Sequence, residues 1–567
     1  MFDSLTSEAN RLLKAMGGVG ERTIVWQRPQ DANHGDLSTN IALQLGGVLK
    51  RPPRSIAEDL VKRFGRLPDI EKIEVAGAGY INIWLTPAAL LRELAVTRKA
   101  CTPAVMRTKE KPIIIEGSDP NIAKPLGIHH ILSTILGQCL TNLYRHAGFN
   151  VLQWNYIGDW GTQFGKLAVA IEKWGDAKKA TVDYTIDELL ALYVRFHEEA
   201  EKDPALEDLG REAFRRLEKG DPTLRAFWED VVAITKTELA ALYERLHVCY
   251  DIELGESFYN DKMGPILEEG ISKGVFKEGE RGALIVEFPE ELGLPVYMVR
   301  RSDGATLYST RDIAQMRYRI DTYDPMEINI PTDVSQTLHF QQLFATCRML
   351  GWTLPKLEHV VFGRMRFADQ KMSTRKGTVL KLEHVLDEAV TRAEAVIKEH
   401  EEHIEAEEPG TLAEMMGVGA IVYGILSQNR TMNIVFDWDK MLSFDGNSAP
   451  YLQYTHARAR SVMRKAEVDT GALSPDVSVL GDHERTLLQT LLQFSSVLEE
   501  SRSEHLPHKL AHYLYGLCQD FNAFYNSSPI LKAEEHERQL RLHLTHCTAT
   551  VLKTGAELLT LRVPERM

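Results

Sequence analysis

The chain has 567 residues, of which 44% are hydrophobic and 26% charged, and 66 Lys and Arg against 80 Asp and Glu give a net charge of −14. That length exceeds one hydrophobic core and sets an expectation of about three to five domains, in a multidomain α/β protein of ordinary soluble composition. No run of the ~18 apolar residues needed for a membrane span stands out, and the acidic balance argues against a protein that coats nucleic acid by bulk charge, while allowing a local basic face.

Residues 3–15 read as an amphipathic helix carrying acids, unlike a signal or transit peptide. With the stretch to residue 95 they predict a small α/β domain. It has a strand-like run at 23–29, helical patterns at 41–50 and 54–67 separated by Arg51-Pro52-Pro53, and an alternating run in which Ile73, Val75, Ile81 and Ile83 form strands around a Gly-rich turn. Residues 96–111 read as a linker. Ile113-Ile114-Ile115 is short, β-branched and bounded by polar residues, as a buried parallel strand is. A polar loop to Pro125, a helix over 128–146 and a strand over 151–157 complete half of a doubly wound, Rossmann-like fold. Ligands of such folds sit beyond the carboxyl ends of the strands, which marks 116–130 and 158–165 as site segments.

Residues 176 to about 250 are charged and helix-periodic. They read as an insertion, counted through residue 290, between two halves of the sheet in a catalytic domain spanning 111–385. The second half places helices at 312–320 and 337–351, strands at 327–330 and 359–363, and a basic loop after them. Residues 386–567 read as an all-α bundle. The six cysteines (Cys101, Cys139, Cys249, Cys347, Cys518 and Cys547) are scattered with no CxxC pair. That predicts neither a disulfide framework nor protein-bound zinc, and fits a reducing cytoplasm.

Three clusters carry chemistry. In Asn121-Ile122-Ala123-Lys124-Pro125-Leu126-Gly127-Ile128-His129-His130, imidazoles stand at a helix mouth, where N–H groups and the dipole favour phosphate. Arg364, Arg366, Lys371, Arg375 and Lys376 are opposed only by Asp369 and suit a loop that clamps polyphosphate. Tyr308 and Asp312 are four residues apart, so a helix puts an aromatic face beside a carboxylate, an arrangement that suits a guanidinium.

Together PNIAKP at 120–125, GDWGTQFG at 158–165, YSTRD at 308–312, LHFQQLF at 338–344, KMSTRKG at 371–377, the stretch 436–458 and the ending VPERM resemble the arginyl-tRNA synthetases of class I. The resemblance implies activation of L-arginine by ATP with Mg²⁺, transfer to the terminal ribose of tRNA(Arg), and activation that needs bound tRNA. It also implies a cytoplasmic monomer free of membranes. It assigns Glu116, Asn121, Tyr308, Asp312 and Gln336 to arginine, Gly127, His130, Met372 and Ser373 to ATP, and Lys124, His129, His130, Lys371, Arg375 and Lys376 to catalysis. No residue is assigned to a metal.

The family's first signature, His-x-Gly-His, stands here as Gly127-Ile128-His129-His130. Either the two histidines share the phosphate role or the site is weakened, as in a tRNA-binding paralogue with impaired activation. Thr374 replaces the second lysine of the family's second signature, and Lys124 stands where a compensating lysine is found. Residues 1–95 resemble the domain that contacts the tRNA elbow. The bundle resembles the anticodon-binding domain, with Tyr451, Tyr454, Arg458 and Arg460 as stacking faces and phosphate donors.

Overall fold

The computed structural model describes residues 3–17, 19, 22–27, 29, 34–302, 304, 306–367, 380–399, 408–443, 446–469 and 479–567. Its N-terminal unit joins the helices Asp3–Lys14, Ile41–Leu49 and Pro53–Phe64 to an antiparallel sheet. The strands are β1 (Leu37–Thr39), β2 (Ile70–Ala76) and β3 (Tyr80–Leu85), in the order β1-β3-β2. Gly77 and Gly79, both at positive φ, make the turn between β2 and β3. Of the strand expected at 23–29, the described residues show an isolated bridge from Gln27 to Ser38. The expected linker starts late, because a helix Pro87–Ala100 runs into it. Leu90, Leu94 and Thr97 are buried, and the Thr97 hydroxyl donates to the Leu491 carbonyl of the C-terminal bundle at 3.2 Å.

Five parallel strands form the central sheet: β4 (Ile113–Glu116), β5 (Val151–Ile157), β6 (Ile252–Gly255), β10 (Glu327–Asp333) and β11 (Lys356–Phe362). A small antiparallel sheet of β7 (Lys277–Glu278), β8 (Leu284–Val286) and β9 (Tyr297–Arg300) stands apart from it. The central order is β11-β10-β4-β5-β6, so β4 and β10 are neighbours although most of the domain separates them in sequence. Their adjacency is the switch point at which such sheets bind ligands.

The insertion expected over 176–290 is divided by the fold. Helices Ile186–Ala200, Ala205–Glu218 and Pro222–Arg245 lie between β5 and β6, and then the chain re-enters the central sheet. β6 pairs with Trp154–Ile157 of β5, a row of N–H and C=O groups that would otherwise stand unpaired at a sheet edge.

The helix Ile131–His146 is buried along nearly its whole length between the sheet and the C-terminal bundle. Its approach to β4 depends on Gly137, where a Cβ would lie 2.6 Å from the Glu116 carbonyl oxygen. On the bundle side, the Tyr144 hydroxyl lies 2.8 Å from His505 Nε2, and Asn142 donates to the Glu557 carbonyl at 3.2 Å. The bundle comprises Pro409–Leu426, Ala449–Ala466, Asp482–Leu491, Phe494–Ser503, Pro507–Ser527 and Glu535–Leu558. It meets the catalytic unit again where β12 (Met365–Phe367) pairs in parallel with β13 (Ile434–Phe436), and the N-terminal unit through Arg485, 2.9 Å from the buried Asp36 carboxylate.

Among the described residues one helix, Pro409–Leu426, is long and apolar enough by length and composition to cross a membrane, a property the sequence reading passed over. Two-thirds of it is buried inside the fold, against its neighbours in the bundle and the charged helix Leu382–Glu399.

Gly137→Ala is expected to push the Ile131–His146 helix off β4 and to destabilise the protein by about 1–3 kcal/mol, the usual range for overpacking. A urea titration followed by circular dichroism reads this directly, and an unchanged midpoint would show that the contact gives way without strain.

Candidate active site

At the switch point lies a cavity of about 570 Å³, lined by Ser118, Asp119, Ile128, His129, His130, Leu132, Ser133, Pro331, Thr332, Asp333, Gln336, Phe362, Arg364, Met365 and Leu380. The loop after β4 shapes one wall by unusual backbone. Ser118, Asp119 and Ala123 have φ of 70°, 51° and 64°, the left-handed region that non-glycine residues seldom adopt. Its bends are held by the Tyr243 hydroxyl donating to Ser118 Oγ at 2.7 Å and by Ser133 Oγ donating to the Ser118 carbonyl at 3.1 Å. Gly158 donates to the Pro120 carbonyl at 2.8 Å, and Ile122 donates back to Gly158 at 3.2 Å. A side chain at 158 has no room, since its Cβ would come 2.5 Å from Asn121 Oδ1.

The residues expected to hold arginine divide into two groups. Glu116 is engaged inside the protein. Arg319, fully buried, donates to both its carboxylate oxygens at 2.7 and 3.3 Å, Gln315 adds a donor at 3.4 Å, and the guanidinium lies 4.5 Å from the Trp154 ring. The fold thus gives Glu116, expected to meet arginine, a resident cation of its own. Asp312 is half-buried and, among the described residues, has no Lys or Arg within ion-pair distance. It faces His339 Nε2 at 2.8 Å and accepts from the Tyr156 hydroxyl at 3.4 Å. Tyr308, at the start of the helix Tyr308–Tyr323, is exposed, with its ring 5.1 Å from that of His339. Gln336 lines the cavity, and Asn121 is exposed and not among its lining residues.

Sequence reasoning missed Asp119 and His339. Asp119 accepts from the Tyr156 backbone N–H at 3.1 Å through Oδ1, and burial, followed by the nearby Glu116, raises its carboxyl well above the usual carboxylate range. The available signal was an acid three residues beyond a strand end, in a segment already marked as a site. On the same side, Glu256 lies 3.0 Å from Arg311, yet desolvation outweighs that cation and pushes the carboxyl up to about 7.

His129 and His130 form the other wall, with ring centroids 4.0 Å apart. The Gly127 N–H donates to His130 Nδ1 at 3.1 Å, and the Gly127 carbonyl already accepts from the His130 N–H. This assigns the imidazole proton to Nε2. Burial, then the neighbouring His129, pushes His130 down to about 4, and desolvation lowers His129 as well. Both are therefore neutral donors near pH 7. Lys124 is not among the residues lining the cavity. The left-handed Ala123 turns the chain, and the exposed ammonium lies 5.0 Å from the Tyr193 ring on the inserted helix Ile186–Ala200.

Arg364 lines the cavity and lies 3.8 Å from Asp333, while Arg366 is exposed. Lys371, Met372, Ser373, Arg375 and Lys376 fall outside the described residues. Arg364 and Leu380, on either side of that segment, both border the cavity. Among the described residues, no group of three or more His, Cys, Asp or Glu is placed to hold a metal ion, and all six cysteines are free.

On the bundle, a second groove of about 720 Å³ collects Tyr454, Arg458, Arg464, Lys465, Tyr525, Lys532 and Arg566. Arg458 stacks between Tyr454 and Tyr525, at 4.6 and 5.1 Å from their rings, and donates to Asn522 at 2.6 Å. Tyr451 and Arg460, expected on the same surface, do not line the groove. The Tyr451 hydroxyl accepts from Asn522 at 3.0 Å, and Arg460 pairs with Glu565 at 2.6 Å.

Three family models match the chain: tRNA synthetases class I (R), catalytic domain, over residues 93–438; DALR anticodon binding domain, over 452–567; and arginyl tRNA synthetase N terminal domain, over 4–85. Among curated proteins, the chain is 41% identical over 538 residues to the arginine–tRNA ligase of Fusobacterium nucleatum, with 94% of each chain covered. It is 37% identical over 557 residues to that of Alkaliphilus metalliredigens, with 97% of each covered. Among solved structures, it is similar to the Thermus thermophilus arginyl-tRNA synthetase, with a TM-score of 0.81, 27% identity and 100% of each chain covered.

Two expectations come from this geometry. Glu116→Gln leaves Arg319 buried without a counter-ion and should cost about 3–5 kcal/mol, and adding Arg319→Met should recover part of the loss. Urea midpoints of the two singles and the double measure the coupling; strict additivity would mean that the pair does not interact. The second concerns pH. His130 binds its proton at about 4 in the fold, against about 6.5 when unfolded, so the folded state holds fewer protons in between and its stability falls as pH drops from 6.5 towards 4. His130→Asn should make that decline shallower, read from unfolding midpoints at pH 7.5 and 5.

Proposed function

Because the chain belongs to the arginyl-tRNA synthetase family of class I synthetases, we propose that it is an arginine–tRNA ligase: it joins L-arginine and ATP into arginyl-adenylate and diphosphate, then passes the arginyl group to the 3′-terminal adenosine of tRNA(Arg). The observation that supports this best is the cleft itself. It brings the strand ends of both sheet halves, two neutral imidazoles and the roots of a basic segment around one cavity, with Asp312 and Tyr308 on the helix beside it.

In this reading Asp312 receives the guanidinium, with Tyr308 as its stacking face and His339 fixing the carboxylate. Gln336 and Asn121 serve the amino-acid end. The His129 and His130 N–H groups donate to the phosphates of ATP, which enters with Mg²⁺ carried on those phosphates. Neutral donors placed beforehand stabilise charge as it develops at the α-phosphate without first gaining a proton. Lys371, Met372, Ser373, Arg375 and Lys376 serve the nucleotide and its phosphates. Catalysis is by positioning, with no covalent enzyme intermediate. We further propose three domains near 1–95, 111–385 and 386–567. The first meets the tRNA elbow, and the last meets the anticodon through Tyr454 and Arg458 in the basic groove. The protein acts as a cytoplasmic monomer, and bound tRNA is required before arginine is activated. Two imidazoles kept at the cleft favour an active enzyme over a tRNA-binding paralogue without activation.

Charging of total tRNA with each amino acid in turn should yield arginyl-tRNA alone, and ATP–pyrophosphate exchange should vanish when tRNA(Arg) is left out. Charging with another amino acid would overturn the assignment, and exchange without tRNA would overturn the tRNA requirement. Asp312→Ala should raise the arginine KM by about 100-fold or more, the scale of a broken buried ion pair, while the ATP KM changes little. Equal losses for both substrates would remove Asp312 from the guanidinium site.

A further inference from the structure

Two carboxylates that accept from Tyr156 have, among the described residues, no Lys or Arg within ion-pair distance. Glu116 is matched by Arg319 and Glu256 by Arg311. Among the described residues, no Lys or Arg lies within ion-pair distance of Asp119 or Asp312, and Asp312 faces the His339 imidazole instead. The unmatched pair is held by opposite ends of a single residue. The backbone N–H of Tyr156 donates to Asp119 at 3.1 Å, and its phenolic hydroxyl donates to Asp312 at 3.4 Å.

Tyrosine spans about 7 Å from backbone nitrogen to hydroxyl, and an extended arginine spans about the same from its α-nitrogen to its guanidinium carbon. An extended arginine therefore matches in length the span that Tyr156 bridges between the two carboxylates. We propose that Asp119 is the counter-ion of the substrate's α-ammonium group, and that Asp119 and Asp312 together form a two-anion gauge for the length of arginine. This rests on the function proposed above and extends it to a residue outside the expected arginine set.

The strained backbone agrees. Ser118 and Asp119 are both held at positive φ by hydrogen bonds from Tyr243 and Ser133 to Ser118, so the fold maintains a costly conformation that places Asp119 on the cavity wall. An acid there also excludes neutral and anionic amino-acid analogues, since they leave a desolvated carboxylate unmatched.

Asp119→Asn keeps an acceptor for the Tyr156 N–H and tolerates the left-handed backbone, so the fold is retained. Calorimetry on the full-length protein with tRNA(Arg) bound compares three ligands. Arginine has both cations, agmatine has both but no carboxylate, and 5-guanidinopentanoate has the guanidinium and carboxylate but no ammonium. Asp119→Asn is expected to weaken arginine and agmatine about tenfold or more, the scale of a lost charge-assisted hydrogen bond, and to leave 5-guanidinopentanoate within about twofold. Asp312→Asn should weaken all three. Equal weakening of all three by Asp119→Asn, or loss of neither arginine nor agmatine, would overturn the assignment. Charging of tRNA(Arg) by the wild-type protein is measured separately. Its absence would sink the proposed function, while the binding comparison would still decide the role of Asp119.

Discussion

The buried pair of Glu116 and Arg319 is the contact on which the site geometry depends. Glu116 ends β4, in the first half of the sheet, and Arg319 stands on the helix Tyr308–Tyr323 of the second half. A guanidinium removed from water is tolerated because both carboxylate oxygens and the Trp154 ring face it. The consequences reach the cleft through short stretches of chain. Asp119 follows Glu116 by three residues, and Asp312 precedes Arg319 by seven, two helical turns along the same face. Fixing the pair therefore fixes the spacing of the two carboxylates left without a cation.

The site holds its charges with unlike logic on its two sides. On the side of Asp119, acids are retained in a desolvated setting, where a cation is the natural complement. On the other side, the imidazoles of His129 and His130 are kept neutral by burial, so they offer hydrogen bonds instead of fixed charge. Fixed cations come from Arg364, on the cavity wall, and from Lys371, Arg375 and Lys376 further along the sequence. A chain with a net charge of −14 thus gathers positive charge at particular places, one of them the groove where Arg458 lies between Tyr454 and Tyr525.

The bundle and the catalytic unit form continuous packing. The helix Ile131–His146 carries His130 next to its first turn and Tyr144 in its last, so one rigid element touches both the cleft and His505 of the bundle. The strand leading to the basic segment is likewise clamped, through β12 and β13, to the chain that enters the bundle. These are short mechanical paths between an RNA-facing domain and the chemical centre.

Local pattern settled much of this from the residues alone. The β-branched run Ile113–Ile115 can only be a strand covered on both faces, and the switch from period two to period 3.6 after it announces the strand-loop-helix. The motifs in order named the family because each answers to a ligand chemistry. Pairing across long sequence separations was decided by the tertiary structure. A strand of four residues such as β6 carries too little pattern to be separated from the insertion around it, and it is the edge of β5 that recruits it. The identity of a carboxylate's partner is equally non-local. Glu116 and Asp312 look equivalent in sequence, and only the fold gives the first a buried arginine and sets the second against an imidazole, that of His339. Asp119 passed unnoticed for the same reason, since nothing in the neighbouring residues reveals that a tyrosine on the next strand measures its distance to Asp312.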